Sequence, residues 1–384
     1  MRLRLLITLS VLLCALIFLA QVSWTTPQFA RKYNTSCQTC HVAPPKLNQT
    51  GENFLANGYR FASDSGISPT AGKAFPMAVW ATGRGTWELS RDRARGLVNR
   101  VELISAGPIK KTAAFYFVEW LPVSQEVGSN GQRVERHGRF EDVFVSAPLG
   151  PVYLTVGQYR SLSQIDVSRR LSVSEPLAFT TGVAGERART GRLTSLRSFS
   201  LSGRSPAIRL SHHWYRGKQA ADGWYNSVTV PFAGEFVIPL TSRVHRERGF
   251  EFEFRPKGVF LESYYKHRLS SIGAHAFIGD GRRLIGTVGS YNYRNLFTTL
   301  AVGFAHELND TNDTRVSWET EWVPRRWVAL GLRLDDRTGA NRPLAVIPHM
   351  NFYFPLTRYT FRVTAEHRQQ RLNRQWLLEA GIVF

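Results

Sequence analysis

From residue 76 to residue 384, apolar and polar residues alternate along the chain with a period of two. The clearest run closes the chain, with apolar residues at every second position from 376 onward. An earlier run alternates Trp318 and Trp322 with Glu319 and Glu321. Successive side chains of a strand point to opposite faces. The pattern therefore predicts β-strands that have one apolar and one polar face.

Three features favour a membrane barrel over a soluble sandwich, which also alternates. The polar faces carry dense charge of both signs, aromatic residues gather near strand ends, and the chain ends on Phe384. After the first 25 residues, no apolar run is long enough for a membrane-spanning helix. Because unpaired sheet edges are too costly in lipid, we expect the strands to close. The predicted fold class is mainly β, a transmembrane outer-membrane β-barrel of about 16 antiparallel strands.

Short turns and long polar connections separate the predicted strands. Pro and Gly mark turns at 107–108, 148–151 and 255–258, whereas residues 309–314 form a polar loop. The longest connection, residues 162–204, is rich in Arg, Ser and Leu. Two placements remain open for it: a loop that folds into the lumen or over the mouth, or a mobile loop on the surface.

Residues 1–25 are predicted to be a signal peptide. Basic Arg2 and Arg4 precede an apolar stretch at residues 5–20, and Ala20 and Ser23 offer cleavage positions. An uncleaved membrane anchor is the alternative, because the apolar run is long for a leader. The segment predicts export and, together with the barrel, a location in the outer membrane of a Gram-negative cell.

Residues 26–75 are unlike the barrel and contain the sequence Cys37-Gln38-Thr39-Cys40-His41. This is C-x-x-C-H, the attachment signature of a c-type haem. Two thiols at this spacing can form thioethers to one porphyrin, and the histidine that follows can ligate its iron axially. We therefore predict a monohaem cytochrome c segment with one haem c per chain, bound by Cys37, Cys40 and His41.

Two other uses of the paired thiols are disfavoured. A thioredoxin-like redox pair would want a βαβ context, and a zinc site would want a second pair of ligands. Cys14 lies in the predicted leader, which leaves Cys37 and Cys40 as the thiols of the mature chain. Attachment of c-type haem outside the cytoplasm also agrees with the predicted export.

The segment around this motif is too small to fold well alone. Asn48 or Thr50 is predicted to cap a short helix, which Asn57 and Gly58 end in a left-handed turn. About fifty residues bury little core without a staple or a neighbouring wall. We therefore expect the barrel to complete the haem pocket, with the segment packed at or in the barrel.

The sequence leaves the sixth ligand of the iron open. Met77 follows the segment closely and is the tentative distal ligand, although a methionine that opens a strand also serves as apolar packing. His212 and His213 qualify only if the barrel holds the haem inside. An iron with five ligands is the remaining alternative.

The 384 residues carry a formal net charge of +20 at pH 7. Charge on this scale is typical of proteins that bind nucleic acid or anionic surfaces. Lys and Arg are spread along the whole chain without a nucleic-acid-binding motif, so we predict no nucleic-acid partner. A basic lumen and rim would instead bind lipopolysaccharide or steer an acidic partner. The inward Glu319, Glu321 and Glu366 are candidate sites for a cation, and a lumen of paired charges is the alternative.

Taken together, the motif, the leader and the barrel make the chain resemble the outer-membrane cytochrome–porin fusions, which include iron-oxidising cytochromes. The resemblance is sharpest between residues 27 and 59, in the stretches Phe29-Ala30-Arg31, Cys37-Gln38-Thr39-Cys40-His41, Pro45-Lys46-Leu47-Asn48, Gly51, Phe54 and Asn57-Gly58-Tyr59. Over the barrel it concerns architecture and length. It implies thioether attachment at Cys37 and Cys40, axial ligation by His41, and electron transfer across the outer membrane.

The predicted function is electron transfer across the outer membrane through one haem held by a porin-like barrel. The predicted partners are outer-membrane lipid, an extracellular electron donor such as Fe2+, and a soluble periplasmic cytochrome. Iron-oxidase activity is left open, and no catalytic residue is assigned. The alternatives are a diffusion porin with a haem-containing plug or sensor, and a haem peroxidase if the iron has an open site.

Overall fold

A computed structural model describes residues 28–62, 77–89, 93–109, 113–127, 133–165, 170–180, 201, 203–215, 221–234, 252–279, 282–306, 312–338, 344–356, 359–370 and 373–383. The predicted signal peptide and Phe384 lie outside these residues. The boundary predicted at 75 and 76 and much of the long connection, residues 181–200, lie outside them as well.

The N-terminal segment, residues 28–62, is a short irregular unit. It contains α1 (Gln28–Tyr33), a 3-10 turn (Cys37–Thr39), the hairpin strands β1 (His41–Ala43) and β2 (Lys46–Leu47), and α2 (Gln49–Ala56). The side chain of Asn48 caps α2 by accepting the N–H of Gly51 at 3.0 Å, and Gly58 follows the helix with a φ of 65°. The helix and the left-handed turn predicted here are confirmed. None of the helices in the described part of the chain is long and apolar enough to cross a membrane.

The strands that follow the N-terminal segment form one closed antiparallel ring. Its strand segments are β3 (Ala78–Glu88), β4 (Arg93–Pro108), β5 (Phe115–Val127), β6 (Arg133–Leu149), β7 (Val152–Arg160), β8 (Arg204–Tyr215), β9 (Gly223–Gly234), β10 (Phe252–Pro256), β11 (Val259–His267), β12 (Ser270–Gly279), β13 (Arg282–Tyr293), β14 (Leu296–His306), β15 (Asn312–Arg325), β16 (Val328–Thr338), β17 (Ala345–Leu356), β18 (Tyr359–Gln370) and β19 (Asn373–Val383). The last strand, β19, pairs with the first barrel strand, β3, and closes the ring.

The segments β10 and β11 are two halves of one barrel strand, because both pair with β9. The turn predicted at 255–258 is therefore wrong: the chain bulges there and continues in the same direction. Pro256 has no N–H for the ladder, and Gly258 has a φ of 151°, which favours glycine. With β10 and β11 sharing one position, the ring has sixteen strands, as predicted. The turn predicted at 107–108 is also displaced, because both residues belong to β4.

Side chains alternate across the wall as the sequence pattern predicts. The outer face is apolar and exposed, with large side chains such as Trp318, Trp322, Leu378, Ile272, Ile285 and Phe304. The inner face is polar and buried; on β15 it presents Arg315, Ser317, Glu319 and Glu321. An apolar exterior around a polar interior is the arrangement of a transmembrane barrel. The predicted fold class is confirmed.

The two ends of the barrel differ in their connections. At one end, which we call the short-turn end, two-residue turns join β6 to β7, β11 to β12, β13 to β14 and β15 to β16. Most of the longer connections lie at the opposite end, above all the one between β7 and β8, although only two residues separate β12 from β13 and β18 from β19 there. In bacterial outer-membrane barrels, short turns face the periplasm and long loops face the exterior.

The N-terminal segment lies inside the barrel at the short-turn end. Glu52 of α2 forms an ion pair of 2.7 Å with Lys266, at the end of β11. On the opposite wall, the ring of Tyr59 packs 5.7 Å from that of Phe115 on β5. The barrel thus supplies the surrounding wall that so small a segment cannot build for itself.

The described parts of residues 161–180, which we call the inner loop, fold into the lumen. The N–H of Leu171 donates to Glu321 at 2.9 Å, and the N–H of Val173 donates to Glu366 at 2.7 Å. Phe179 is buried in an apolar cluster on the inner wall. Of the two placements that the sequence leaves open, the lumen is confirmed for these residues.

Candidate functional site

A cavity of about 690 Å³ lies between the N-terminal segment, the inner loop and the barrel wall. Cys37, Cys40 and His41 all line it. We call it the lumenal cavity. The three residues that the sequence predicts to bind a haem therefore line one cavity, and barrel strands form part of its wall.

Local hydrogen bonds set the conformation of the motif at residues 37–41. The N–H of Cys40 donates to the carbonyl of Cys37 at 3.2 Å in a single 3-10 turn. Cys37 and Cys40 are therefore the first and last residues of one hydrogen-bonded turn. Both are free thiols, since no disulfide joins them.

Asn48 holds this turn from the side. Its amide nitrogen donates to the carbonyls of Gln38 and Thr39, at 3.1 Å each, while its amide oxygen caps α2. Its backbone N–H donates to the carbonyl of Cys40 at 2.9 Å. One residue thus connects the motif to the helix behind it.

The ring of His41 is oriented by its own hairpin. Its Nδ1 lies 3.1 Å from the carbonyl oxygen of Pro45. A carbonyl oxygen can only accept, so Nδ1 carries the proton and Nε2 keeps the lone pair that ligates a metal. Orientation of a ligating histidine through its second nitrogen is the usual arrangement at iron and zinc sites.

The thiol of Cys40 is shielded from water. Burial, followed by the effect of the neighbouring Cys37, raises the pKa of the Cys40 thiol to about 11. Burial disfavours the charged form, so this thiol is held as a neutral group. A thiol that takes part in redox cycling needs a lowered pKa, so the raised pKa of Cys40 disfavours that use.

Aromatic side chains form one side of the lumenal cavity. Phe29 and Tyr33 of α1 pack with Phe54 of α2, at ring distances of 4.8 and 5.7 Å. Tyr59 continues the stack towards Phe117 on β5. This cluster gives the cavity an apolar side in an otherwise polar lumen.

The hairpin that follows the motif is fixed to the wall by a charged contact. Lys46 forms an ion pair with Glu321 of β15, and its ammonium group lies 4.7 Å from the centroid of the Phe297 ring. Arg326, in the turn between β15 and β16, donates a hydrogen bond of 2.8 Å to the side-chain oxygen of Gln38 in the motif. The motif therefore has a defined place relative to the barrel.

The structure separates the candidates for the distal position. Met77 is half-buried, its carbonyl accepts a hydrogen bond from Arg31, and it does not belong to the lining of the lumenal cavity. His212 is exposed on the outer face of β8, whereas His213 lines the cavity. Of the three candidates for the distal position, His213 is the one that shares a cavity with His41.

These residues fit a c-type haem. Two thiols and an imidazole with a defined tautomer line one cavity, whose volume lies within the roughly 300–1,000 Å³ usual for cofactor sites. In such a site, Cys37 and Cys40 would hold the porphyrin covalently and His41 would ligate its iron. Haem attachment stays a prediction for this chain.

The three inward glutamates named from the sequence have different surroundings. Glu366 is bound by the inner loop through the N–H groups of Val173 and Ser174. Glu319 and Glu321 lie beside His349, and ligand atoms of these three residues are all within 4.8 Å of one another. Sequence reasoning missed His349, which lies on a different strand and carries no local motif.

Several other charges among the described lumenal residues are paired. Arg315 pairs with Asp313 at 2.5 Å, and Arg333 with Asp335 at 3.1 Å. The prediction of a lumen of paired charges therefore holds for these side chains.

Comparisons with known proteins concern the barrel. No family model matches the sequence, and no curated protein matches it either. Among solved structures, OmpF of Salmonella typhi, in complex with daunomycin, is similar with a TM-score of 0.52 at 9% identity, over 80% of this chain and 97% of that one. The outer-membrane channel DcaP of Acinetobacter baumannii gives 0.49 at 10% identity, over 80% and 96%. An anion-selective porin from Comamonas acidovorans gives 0.48 at 11%, over 80% and 98%.

The likeness to OmpF concerns the fold alone, and it agrees with the strand pairing. The chain has the fold of an outer-membrane porin, a closed antiparallel barrel whose wall is apolar outside and polar inside.

Proposed function

We propose that this protein lies in the outer membrane and carries electrons across it through one c-type haem. Cys37 and Cys40 would attach the group and His41 would ligate its iron. When bound, the group supplies one-electron redox chemistry. A resemblance to cytochrome–porin fusions, sharpest in residues 27–59, supports the same proposal.

The observation that carries the proposal is the shared orientation of the three motif residues. Cys37, Cys40 and His41 line one lumenal cavity, and the hydrogen bond from His41 to the Pro45 carbonyl fixes the ring. A C-x-x-C-H sequence that occurred by chance would have no reason to be folded into the interior of a barrel.

Two parts of the chain, the N-terminal segment and the inner loop, occupy the lumen, and this favours an electron conduit over an open channel. The N-terminal segment occupies the short-turn end, and the inner loop crosses the lumen above it. Leu171 of the inner loop and Ala43 of the segment belong to the same buried apolar cluster. A lumen blocked in this way restricts water and ions but still allows a bound redox group to exchange electrons.

The position of the motif indicates which electron-transfer partner fits each side of the membrane. It lies at the short-turn end, which faces the periplasm in bacterial barrels. A soluble periplasmic cytochrome is the partner that fits this side, and ferrous iron or another extracellular reductant is the donor that fits the other. A signal peptide at residues 1–25 would deliver the chain to this location.

The decisive experiment is an anaerobic redox titration of the purified, haem-containing protein with ferrous iron. We expect the haem absorption bands to shift to those of the reduced form, and reoxidation when a soluble cytochrome c is added. The double variant Cys37→Ala/Cys40→Ala is the control, because it keeps the barrel and lacks both attachment points. Wild-type protein that contains no covalent haem would contradict the cofactor. Haem that ferrous iron leaves oxidised would remove iron as donor.

A diffusion porin is the second candidate, and the likeness of the fold to OmpF favours it. Current through single molecules in a planar lipid bilayer separates the two functions. A conduit whose lumen is filled should pass little ionic current. Large, steady currents through the haem-containing protein would support the porin and contradict the conduit.

A further inference from the structure

We propose that Glu319, Glu321 and His349 form a binding site for one divalent transition-metal cation on the inner wall of the barrel. The site belongs to the barrel and not to the motif at residues 37–41. The proposed metal site can therefore be tested separately from the proposed haem site.

Strand register brings the three residues together. Glu319 and Glu321 are two positions apart on β15, so both point into the lumen. On β16, Gly331 is paired with Glu321 on one side and with His349 of β17 on the other. Glu321, Gly331 and His349 thus form one row across three strands.

The glycine in the middle of this row makes room for the imidazole. A Cβ atom at position 331 would overlap the ring of His349, including its Nε2 atom. Because Gly331 has no side chain, the ring of His349 lies across β16 and points towards β15. Its Nε2 is 3.9 Å from Oε1 of Glu321.

The site contains buried polar atoms without hydrogen bonds. Both ring nitrogens of His349 and Oε1 of Glu319 lack a hydrogen-bond partner, although His349 is only 4% exposed and Glu319 only 8%. Nη1 of Arg333 lies 3.9 Å from that oxygen, beyond hydrogen-bond distance, and Arg333 also pairs with Asp335. Burial of such groups without partners is costly. One cation bound between these residues would satisfy Nε2 of His349 and Oε1 of Glu319 at the same time.

The donor set selects a class of metal. One imidazole nitrogen and two carboxylates suit borderline divalent ions such as Fe2+, Mn2+ and Zn2+. An all-oxygen set would be expected for Mg2+ or Ca2+. Glu319 and Glu321 line the lumenal cavity, so an ion can reach the site from the lumen.

Lys46 competes with the cation for Glu321. It pairs with Oε2 of Glu321, while Oε1 accepts the N–H of Leu171 from the inner loop. Replacement of Lys46 by an uncharged residue should therefore strengthen metal binding, because it removes a positive charge from the site.

The test is a metal titration of the full-length protein folded in detergent. Mn2+ is the probe, followed through the loss of the electron paramagnetic resonance signal of the free ion, and anaerobic dialysis with Fe2+ is the second measurement. We expect one ion per chain in the wild type. In His349→Gln, affinity should fall at least about 10-fold, the usual scale for damage to a metal site. In Lys46→Met, affinity should rise.

His275 provides the matched control. It is also a buried histidine of the inner wall whose ring nitrogens lack hydrogen bonds, but it is not in the cluster with Glu319 and Glu321. His275→Gln should bind Mn2+ like the wild type. A shift in gel mobility on heating confirms that each variant is folded. Two results would overturn the proposal. One is a folded wild type that does not bind Mn2+ stoichiometrically, and the other is equal Mn2+ affinity in the His349→Gln and His275→Gln variants.

Discussion

Gly51 of α2 lies directly against the carbonyl oxygen of Cys40. A Cβ atom at position 51 would overlap that oxygen and would also meet a methyl group of Leu47 at 2.9 Å. The helix can approach the motif this closely because residue 51 has no side chain. Glycine in a helix costs about 1 kcal/mol relative to alanine. We infer that the close contact between α2 and the motif is worth more than this loss of helix propensity.

Gly51→Ala should therefore loosen the motif although it favours the helix. The obstacle is backbone, which cannot rotate away, and overpacking of this kind costs about 1–3 kcal/mol. We expect faster proteolysis of the N-terminal segment.

Gly289→Ala is the control for that substitution, because nothing lies within 4 Å of a Cβ at position 289. It should match the wild type in protease resistance. Equal protease resistance in the two alanine variants would contradict the role assigned to Gly51.

Asn48 allows its two tasks to be separated. Asn48→Asp keeps an oxygen that can cap α2 but loses the donors to the carbonyls of Gln38 and Thr39. Asn48→Ala loses both, at about 1 kcal/mol for the cap and about 1 kcal/mol for each hydrogen bond. Protease resistance of the segment should fall in the order wild type, Asp, Ala. If the aspartate variant equals the wild type, the contacts to the motif carry no weight.

The distal position distinguishes His213 from Met77. His213 lines the lumenal cavity with His41 and Met77 does not, so His213→Ala should change the spin state of the ferric iron. Electron paramagnetic resonance at low temperature measures it. Met77→Leu should leave the spectrum unchanged. The opposite pattern would return Met77 to the iron, and a high-spin signal in the wild type would indicate five ligands.

Glu366 should control how well the inner loop fills the lumen. Its carboxylate accepts the N–H groups of Val173 and Ser174, at 2.7 and 3.1 Å. Glu366→Ala removes these acceptors and leaves two partly buried donors without them, which costs up to about 1–3 kcal/mol for each. Single-molecule currents in a planar bilayer should therefore rise in this variant.

Glu366→Gln is the matched substitution, since its amide oxygen can still accept. Its current should lie between those of the wild type and the alanine variant. If alanine at this position leaves the current at the wild-type level, the loop does not depend on Glu366 for its place.

The barrel could be predicted from the sequence because its information is local. Alternation of Trp318 and Trp322 with Glu319 and Glu321 specifies both faces of β15 without knowledge of any partner strand. The motif at residues 37–41 and the cap at Asn48 are local in the same sense. The bulge at Gly258 could not be distinguished from a turn, since proline and glycine serve both.

Contacts between distant parts of the chain could not be predicted. Lys46 and Glu321 are 275 positions apart, and their ion pair depends on where the N-terminal segment lies in the lumen. The approach of His349 to Glu321 depends on a register across three strands, in which Gly331 occupies the middle position. A single sequence shows polar residues on inward faces but not which of them meet.

The seam of the ring, where β19 pairs with β3, has a consequence for the order of assembly. The strand that completes the cylinder, β19, is made long after the motif at residues 37–41. Cys37 and Cys40 therefore exist before there is a closed barrel to enclose them. If the proposed function holds, an enzyme that attaches haem to these thiols would meet them before the cylinder closes, and closure would then seal the attached group inside. Attachment of the cofactor and closure of the barrel would in this way be separated in time by the order of the chain itself.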